Sequence, residues 1–338
     1  VLPNKLKEIN EFAFALCERL QNVLLPQDSQ LKRVGKFTFY GCKQLKSIQL
    51  PDAITSIPER CFALSGLETF RIPESVIEID PYAFSRTNLT TISFNSQLNI
   101  IWNKAFEFNE NLRHIEIPEN LERIGYAAFY YCTNLTTVSI PPDSHLVRIG
   151  GNAFANAPIE ELKLNSKVLL ANKAYLLNTL PKLKRVLLSD ETDSIQITDD
   201  GILIYCDSSY EADLLFVPKN LTHIKISISR EQLNIPLSVF QGMKIDTLEC
   251  KPGINRVMFE KNPDHPYTNI KNLIVPMYRY SGDAIQSLQY VEFNQSSEFD
   301  IEGRAFKYCT QLKKIILPKC SKIHPSAFAY CTNLETVI

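Results

Sequence analysis

Five of the nine cysteines, Cys17, Cys42, Cys132, Cys309 and Cys331, fall three residues after a phenylalanine. A recurring thiol is a candidate nucleophile, soft-metal ligand or disulfide partner. The same position in other repeats holds Ser65, Thr87, Asn109, Ala157, Leu180 and Met243. Neither a metal site nor a nucleophile tolerates Leu or Met in that place, so the column reads as small buried residues. Cys17 with Cys42 and Cys309 with Cys331 are neighbours at disulfide range, but the column works without bridges. No zinc spacing occurs, and His114, His145, His223, His265 and His324 are dispersed. Gly-rich phosphate loops and nucleophile elbows are absent. The acidic stretch 189–201 lacks the regular oxygen spacing of a Ca²⁺ loop and reads as solvated. No catalytic, metal or cofactor-binding residue is expected. Four N-x-[ST] sequons, at Asn88, Asn134, Asn220 and Asn294, are glycan acceptors if the chain is secreted by a eukaryote.

The elements around these residues repeat. Phe14, Phe39, Phe62, Phe84, Phe106, Phe129 and Phe154, and later Phe306 and Phe328, follow one another at steps of 22 to 25 residues. Each opens a phrase such as Phe129, Leu135, Val138, Ile140, closed by a proline such as Pro141. The end of the phrase alternates with period two, which predicts a short strand, and the proline ends it. One unit cannot bury its own apolar face, so the units must stack, Phe on Phe and Leu on Leu. The regular phrase covers 1–188 and 305–338. Between them, 189–304 is degenerate: Leu177, Leu183, Val186, Leu188 and Phe240, Ile245, Leu248, Cys250 keep the spacing, whereas Ile270, Leu273, Val275 keep only the strand. Pro218, Leu221 and Ile224 align with Pro118, Leu121 and Ile124. Phe240 then comes late, which predicts a bulging loop. With only 11 glycines in 338 residues, the composition argues against a fold full of left-handed turns.

The phrase AF-x-x-C-x-x-L-x-x-I-x-[IL]-P resembles the BspA-like leucine-rich repeat. That resemblance implies a right-handed superhelical solenoid with a concave parallel β-sheet and short helical or irregular returns. It also suggests that 199–224 is a hairpin-like insertion and that 1–338 is one solenoid cut from a longer array. Such proteins are typically surface or secreted proteins implicated in adhesion to host matrix and cells. The chain is therefore expected to be a non-enzymatic module at the cell surface or secreted, binding a host matrix or cell-surface protein; an intracellular scaffold is the alternative. The outward strand positions are the candidate binding residues: Arg71, His114, Glu116, Glu161, Lys163, Arg185, Leu187, Ile274, Tyr290 and Ile316. A net charge of −1 and 45% hydrophobic residues give no footprint for nucleic acid, and no apolar run spans a bilayer. The opening VLPNKLKEINEFAF has neither an initiator Met nor a leader-like pattern, which predicts a mature product or fragment.

Overall fold

A computed structural model describes residues 1–338 except 178, 179, 181, 191, 207–209, 252, 253, 261–268, 277, 280–284 and 295–297. Glu191 of the acidic stretch and His265 lie outside the described residues. The chain forms two compact units, Val1–Glu191 and Thr192–Ile338.

The first unit is a parallel β-solenoid built on the phenylalanine spine. Phe39, Phe62, Phe84, Phe106, Phe129 and Phe154 are fully buried. From Phe14 onward their rings stack at 5.1–5.4 Å between centroids, with planes within 13° of parallel. The predicted strands follow the spine. Thr69–Arg71 pairs with Thr91–Ser93, and His114–Glu116, Thr137–Ser139, Glu161–Leu164 and Arg185–Leu188 form a four-stranded sheet. Their middle residues Phe70, Ile92, Ile115, Val138, Leu162 and Val186 point inward.

The returns are more regular than irregular loops. A second parallel ladder of two-residue strands, Ser56–Ile57, Glu78–Ile79, Ile100–Ile101, Arg123–Ile124 and Arg148–Ile149, runs along the unit. The second residue of each strand, always an isoleucine, is buried and the first faces outward. The helix Ser166–Leu176 covers the end of this ladder. Its Asn172 Oδ1 accepts the Ile149 N–H at 2.6 Å, so the edge strand keeps no orphan donor there. Asn165 caps the helix, accepting the Val168 N–H at 2.8 Å. Leu177, standing where the spine phenylalanine should be, is buried at the helix C-terminus.

Between the two ladders the chain turns through the Ala-Phe segment, and here the expectation from glycine content fails. Among the described residues, seventeen non-glycine residues have positive φ, all between 52° and 66°. They lie two residues before and two after each spine phenylalanine: Arg60 and Leu64 flank Phe62, Lys104 and Phe108 flank Phe106, Tyr308 follows Phe306. Each such residue costs of the order of 1 kcal/mol in isolation. Coil-to-coil hydrogen bonds compensate. Lys104, Phe106 and Phe108 N–H donate to the Tyr126, Ala128 and Tyr130 carbonyls at 2.7–2.9 Å, and the pattern recurs in neighbouring coils. The left-handed residues also stack outside. Phe12 lies on Phe37 at 4.7 Å, Arg60 sits over Tyr82 at 4.6 Å, and Arg86 sits over Phe108 at 4.1 Å.

In the second unit Ile195–Ile197, Leu203–Tyr205 and Glu211–Phe216 are antiparallel, and Arg230–Pro236, Ile254–Glu260 and Tyr278–Arg279 extend that sheet in parallel. Opposite runs a six-stranded parallel sheet: His223–Ile226, Lys244–Cys250, Asn269–Val275, Tyr290–Phe293, Lys314–Ile316 and Thr336–Val337. Two readings need correction. Ile224 lies opposite Leu248, so it equals the strand anchor Val138 and not Ile124. The spacing Pro-x-x-Leu-x-x-Ile fits both ladders, and burial of Ile224 with Ile226 selects the long one. The expected bulge before Phe240 is instead the seven-residue strand Arg230–Pro236, whose Leu233 and Ile235 are buried, followed by a short 3-10 turn at Leu237–Phe240. Phe306 and Phe328 restore the stack at 5.3 Å.

Candidate functional site

Outward residues of the long strands form in-register columns, because parallel pairing sets one residue per coil. In the first unit His114 is opposite Thr137 and Glu116 opposite Ser139. Ser139 is opposite Lys163, which faces Leu187, and Glu161 faces Arg185. Six predicted residues thus share one sheet, while Arg71 stands in the separate Thr69–Arg71 pair. Much of this charge is already paired. Arg185 Nε donates to Glu161 at 2.9 Å. Arg71 reaches Asp52 at 3.1 Å and Glu74 at 2.8 Å. His114 Nδ1 meets the Thr137 hydroxyl at 2.7 Å and Nε2 meets Glu116 at 3.4 Å. Such exposed pairs contribute well under about 1 kcal/mol each, so they orient side chains more than they stabilise the sheet.

The second unit presents a more apolar arrangement. Ile274 and Ile316 are half-buried and both lie opposite Glu292, one on each side. Tyr290 donates its hydroxyl proton to Glu292 at 2.5 Å. Burial, then that carboxylate, pushes the phenol up to about 12. Lys314 stands over the Tyr290 ring at 5.9 Å. This sheet also contains outward residues missed in the sequence, His223 and Lys225, opposite Thr247 and Glu249. The alternation Ile224-x-Ile226 carries the signal, but the Pro218, Leu221, Ile224 spacing fits the other ladder equally.

Cys42, Cys132 and Cys309 of the cysteine column are buried, as the residue types imply, whereas Cys331 is half-buried and Cys17, in the first coil, is exposed. Cys42 Sγ donates to the Phe14 carbonyl at 3.1 Å, Cys132 to Phe106 at 3.3 Å and Cys331 to Phe306 at 3.0 Å. Asn109 does the same with its amide, to Phe84 at 2.7 Å and Phe106 at 2.9 Å. Four polar side chains of the column, Cys42, Asn109, Cys132 and Cys331, therefore donate to the preceding spine carbonyl, which explains why Asn as well as Cys fits. Burial pushes the thiols up, Cys42 to about 11 and Cys132 to about 12. Cys17, Cys42 and Cys331 are free thiols. Among the described residues no cluster of His, Cys, Asp or Glu could hold a metal, and no helix is long and apolar enough to cross a membrane.

The sequons differ. Asn88 and Asn220 are exposed. Asn134 is exposed, but its amide donates to the Glu110 carbonyl at 2.7 Å. Asn294 is half-buried and donates to the Cys250 carbonyl at 3.0 Å; its Ser296 lies outside the described residues. Asn294 follows its strand as Asn95 and Asn165 follow theirs, and all three amides bond carbonyls of other coils.

Comparison with known proteins agrees with this geometry. The BspA type Leucine rich repeat region matches residues 1–113, 99–198 and 212–335. No curated protein matches. A leucine-rich repeat protein from Bacteroides ovatus is similar over 99% of this chain and 77% of its own, with 22% identity and a TM-score of 0.52. The pneumococcal vaccine antigen PcpA is similar over 99% of this chain and 84% of its own, with 19% identity and a TM-score of 0.52. Both likenesses concern the fold. With its stacked phenylalanines, its paired parallel ladders and a repeat profile spanning nearly its whole length, the chain belongs to the BspA-type leucine-rich repeat family.

Proposed function

We propose that this chain is a non-enzymatic protein-binding module, displayed at the cell surface or secreted, that docks a host matrix or cell-surface protein on its long-strand columns. The observation that carries the reading is the Ile274, Glu292, Ile316 and Tyr290 group on the second unit's sheet. A half-buried aromatic and two aliphatic side chains around a fixed carboxylate have the composition of an interface centre, with paired charges as a rim. The first unit's His114, Glu161, Lys163, Arg185 and Leu187 supply a second, polar patch. The surface setting draws on the pneumococcal relative, which is a vaccine antigen. A matrix-binding assay on immobilised host matrix proteins tests the reading. The wild type retains at least one of them; the triple variant Arg185→Ala, Tyr290→Ala, Ile316→Ala keeps its melting temperature and loses retention. Equal retention by both proteins defeats the proposal.

The free thiols Cys17, Cys42 and Cys331 favour a second reading, an intracellular scaffold of the same architecture. Protein from its native source decides: glycans on Asn88 and Asn220 support secretion, and bare sequons with fully reduced thiols support the scaffold.

A further inference from the structure

The outward positions of the first unit's short ladder place two arginines side by side. Arg123 lies directly opposite Arg148. Like charges facing each other across a ladder destabilise it, and the other outward pairs of this ladder, Ser56 with Glu78, Glu78 with Ile100 and Ile100 with Arg123, each carry a single charge. Among the described residues no carboxylate forms an ion pair with either guanidinium. The one carboxylate among the ladder's outward residues, Glu78, accepts the Trp102 indole N–H at 2.9 Å. That indole in turn supports Arg123, whose guanidinium lies 4.9 Å from its ring. The Arg123 Nε is buried and has no hydrogen-bond partner. Both arginines line a groove of about 360 Å³ together with Gly125, Gly150, Gly151 and Tyr126. Glycine is required there for a steric reason: a Cβ on Gly125 or Gly150 would stand 2.4–2.5 Å from the backbone of the preceding coil.

A ring-supported guanidinium, a second one a single coil away, and glycine backbone along the groove together make a receptor for a tetrahedral oxyanion. We propose that the Arg123–Arg148 groove binds a sulfate or phosphate group, free or as an ester, and that the arginine juxtaposition is retained for that ligand. A carboxylate-rich protein surface is a weaker fit, because two guanidiniums lining one groove match a compact oxyanion. The inference does not depend on the long-strand columns.

The test uses the full chain and the variant Arg148→Gln, leaving Arg123 in its packing against Trp102. Probes are sodium sulfate, sodium phosphate, phosphoserine and a sulfated disaccharide, each against sodium chloride at matched ionic strength. Two readouts are followed, the Arg123 Nε–H resonance and the melting temperature. In the wild type the resonance moves saturably with sulfate or phosphate and not with chloride, and the melting temperature rises along the same curve. In Arg148→Gln the affinity falls by about tenfold, as one charge-assisted pair is lost. The non-saturating rise that sulfate gives any protein remains. In chloride alone the variant melts no lower than the wild type, since a like-charge contact has been removed. The ester that saturates at lower concentration identifies the source; saturation by the inorganic ions alone assigns the groove to a free ion. A linear, equal response in both proteins, or an unmoved Arg123 resonance in every probe, overturns the proposal.

Discussion

At the scale of single residues, the spine phenylalanine and the left-handed positions around it carry opposite energies. Phe129 is fully buried between Phe106 and Phe154. Phe129→Ala should cost about 3–5 kcal/mol, read as a shift of the urea midpoint. Two residues earlier, Ala127 has φ 52° and bears no stacking ring. Ala127→Gly should stabilise by about 1 kcal/mol, because glycine accepts that conformation without penalty; a lower melting temperature would mean that the coil-to-coil bonds, not the residue, set the strain. The phenylalanines were legible from spacing alone. The left-handed positions were not, since their occupants include Phe12, Arg60, Lys104 and Tyr131, and the scarcity of glycine pointed the wrong way. A fainter signal was present. Across these flanking positions, Gly41 included, no Val, Ile or Thr occurs, and β-branched residues are the ones that region excludes most strongly.

At the scale of elements, the long strands were readable because each carries apolar anchors at a fixed spacing, the last two of them alternating. The short ladder was not, because a two-residue strand such as Arg123–Ile124 has no period to detect. The helix Ser166–Leu176 replaced the usual turn without notice, although Asn165 before an apolar run is an N-cap signal. Asn165 serves twice, accepting from Val168 and donating to the Pro142 carbonyl at 2.8 Å. Asn165→Ala should therefore cost about 1–3 kcal/mol, more than a surface cap. Circular dichroism would show local helix loss; a change under a few tenths would demote the cap to decoration. By contrast Arg185→Ala removes an exposed pair with Glu161 and should change stability by less than about 1 kcal/mol. The candidate interaction columns could be listed from sequence once the strands were placed. Which of them are pre-paired, and that Ile274 and Ile316 bracket Glu292, depends on register, which the sequence does not state.

At the scale of the whole molecule, acid–base behaviour and mechanical behaviour follow from the stacking. Cys42, Cys132 and Cys250 are raised from 9.0 to about 11, 12 and 12 by burial, and Tyr290 from 10.0 to about 12. Groups that hold protons more tightly when folded contribute stability that is complete below their unfolded values and is lost as pH climbs through the folded ones. The urea midpoint should thus be flat with respect to these groups up to about pH 9 and fall between about pH 9 and 12. Cys132→Ser should flatten that fall; an unchanged slope would show that the thiol does not titrate with unfolding. The hydrogen bonds that join successive turns of the first unit, such as Phe106 N–H to Ala128 C=O, point from one coil to the next. Tension applied between the two ends of that unit therefore loads them one layer at a time, so the chain should peel rather than shear. With 22 to 25 residues per layer, each rupture would lengthen the tether by roughly 70–80 Å, a row of small, nearly equal yields that lets an anchored molecule give ground under drag without coming apart at once.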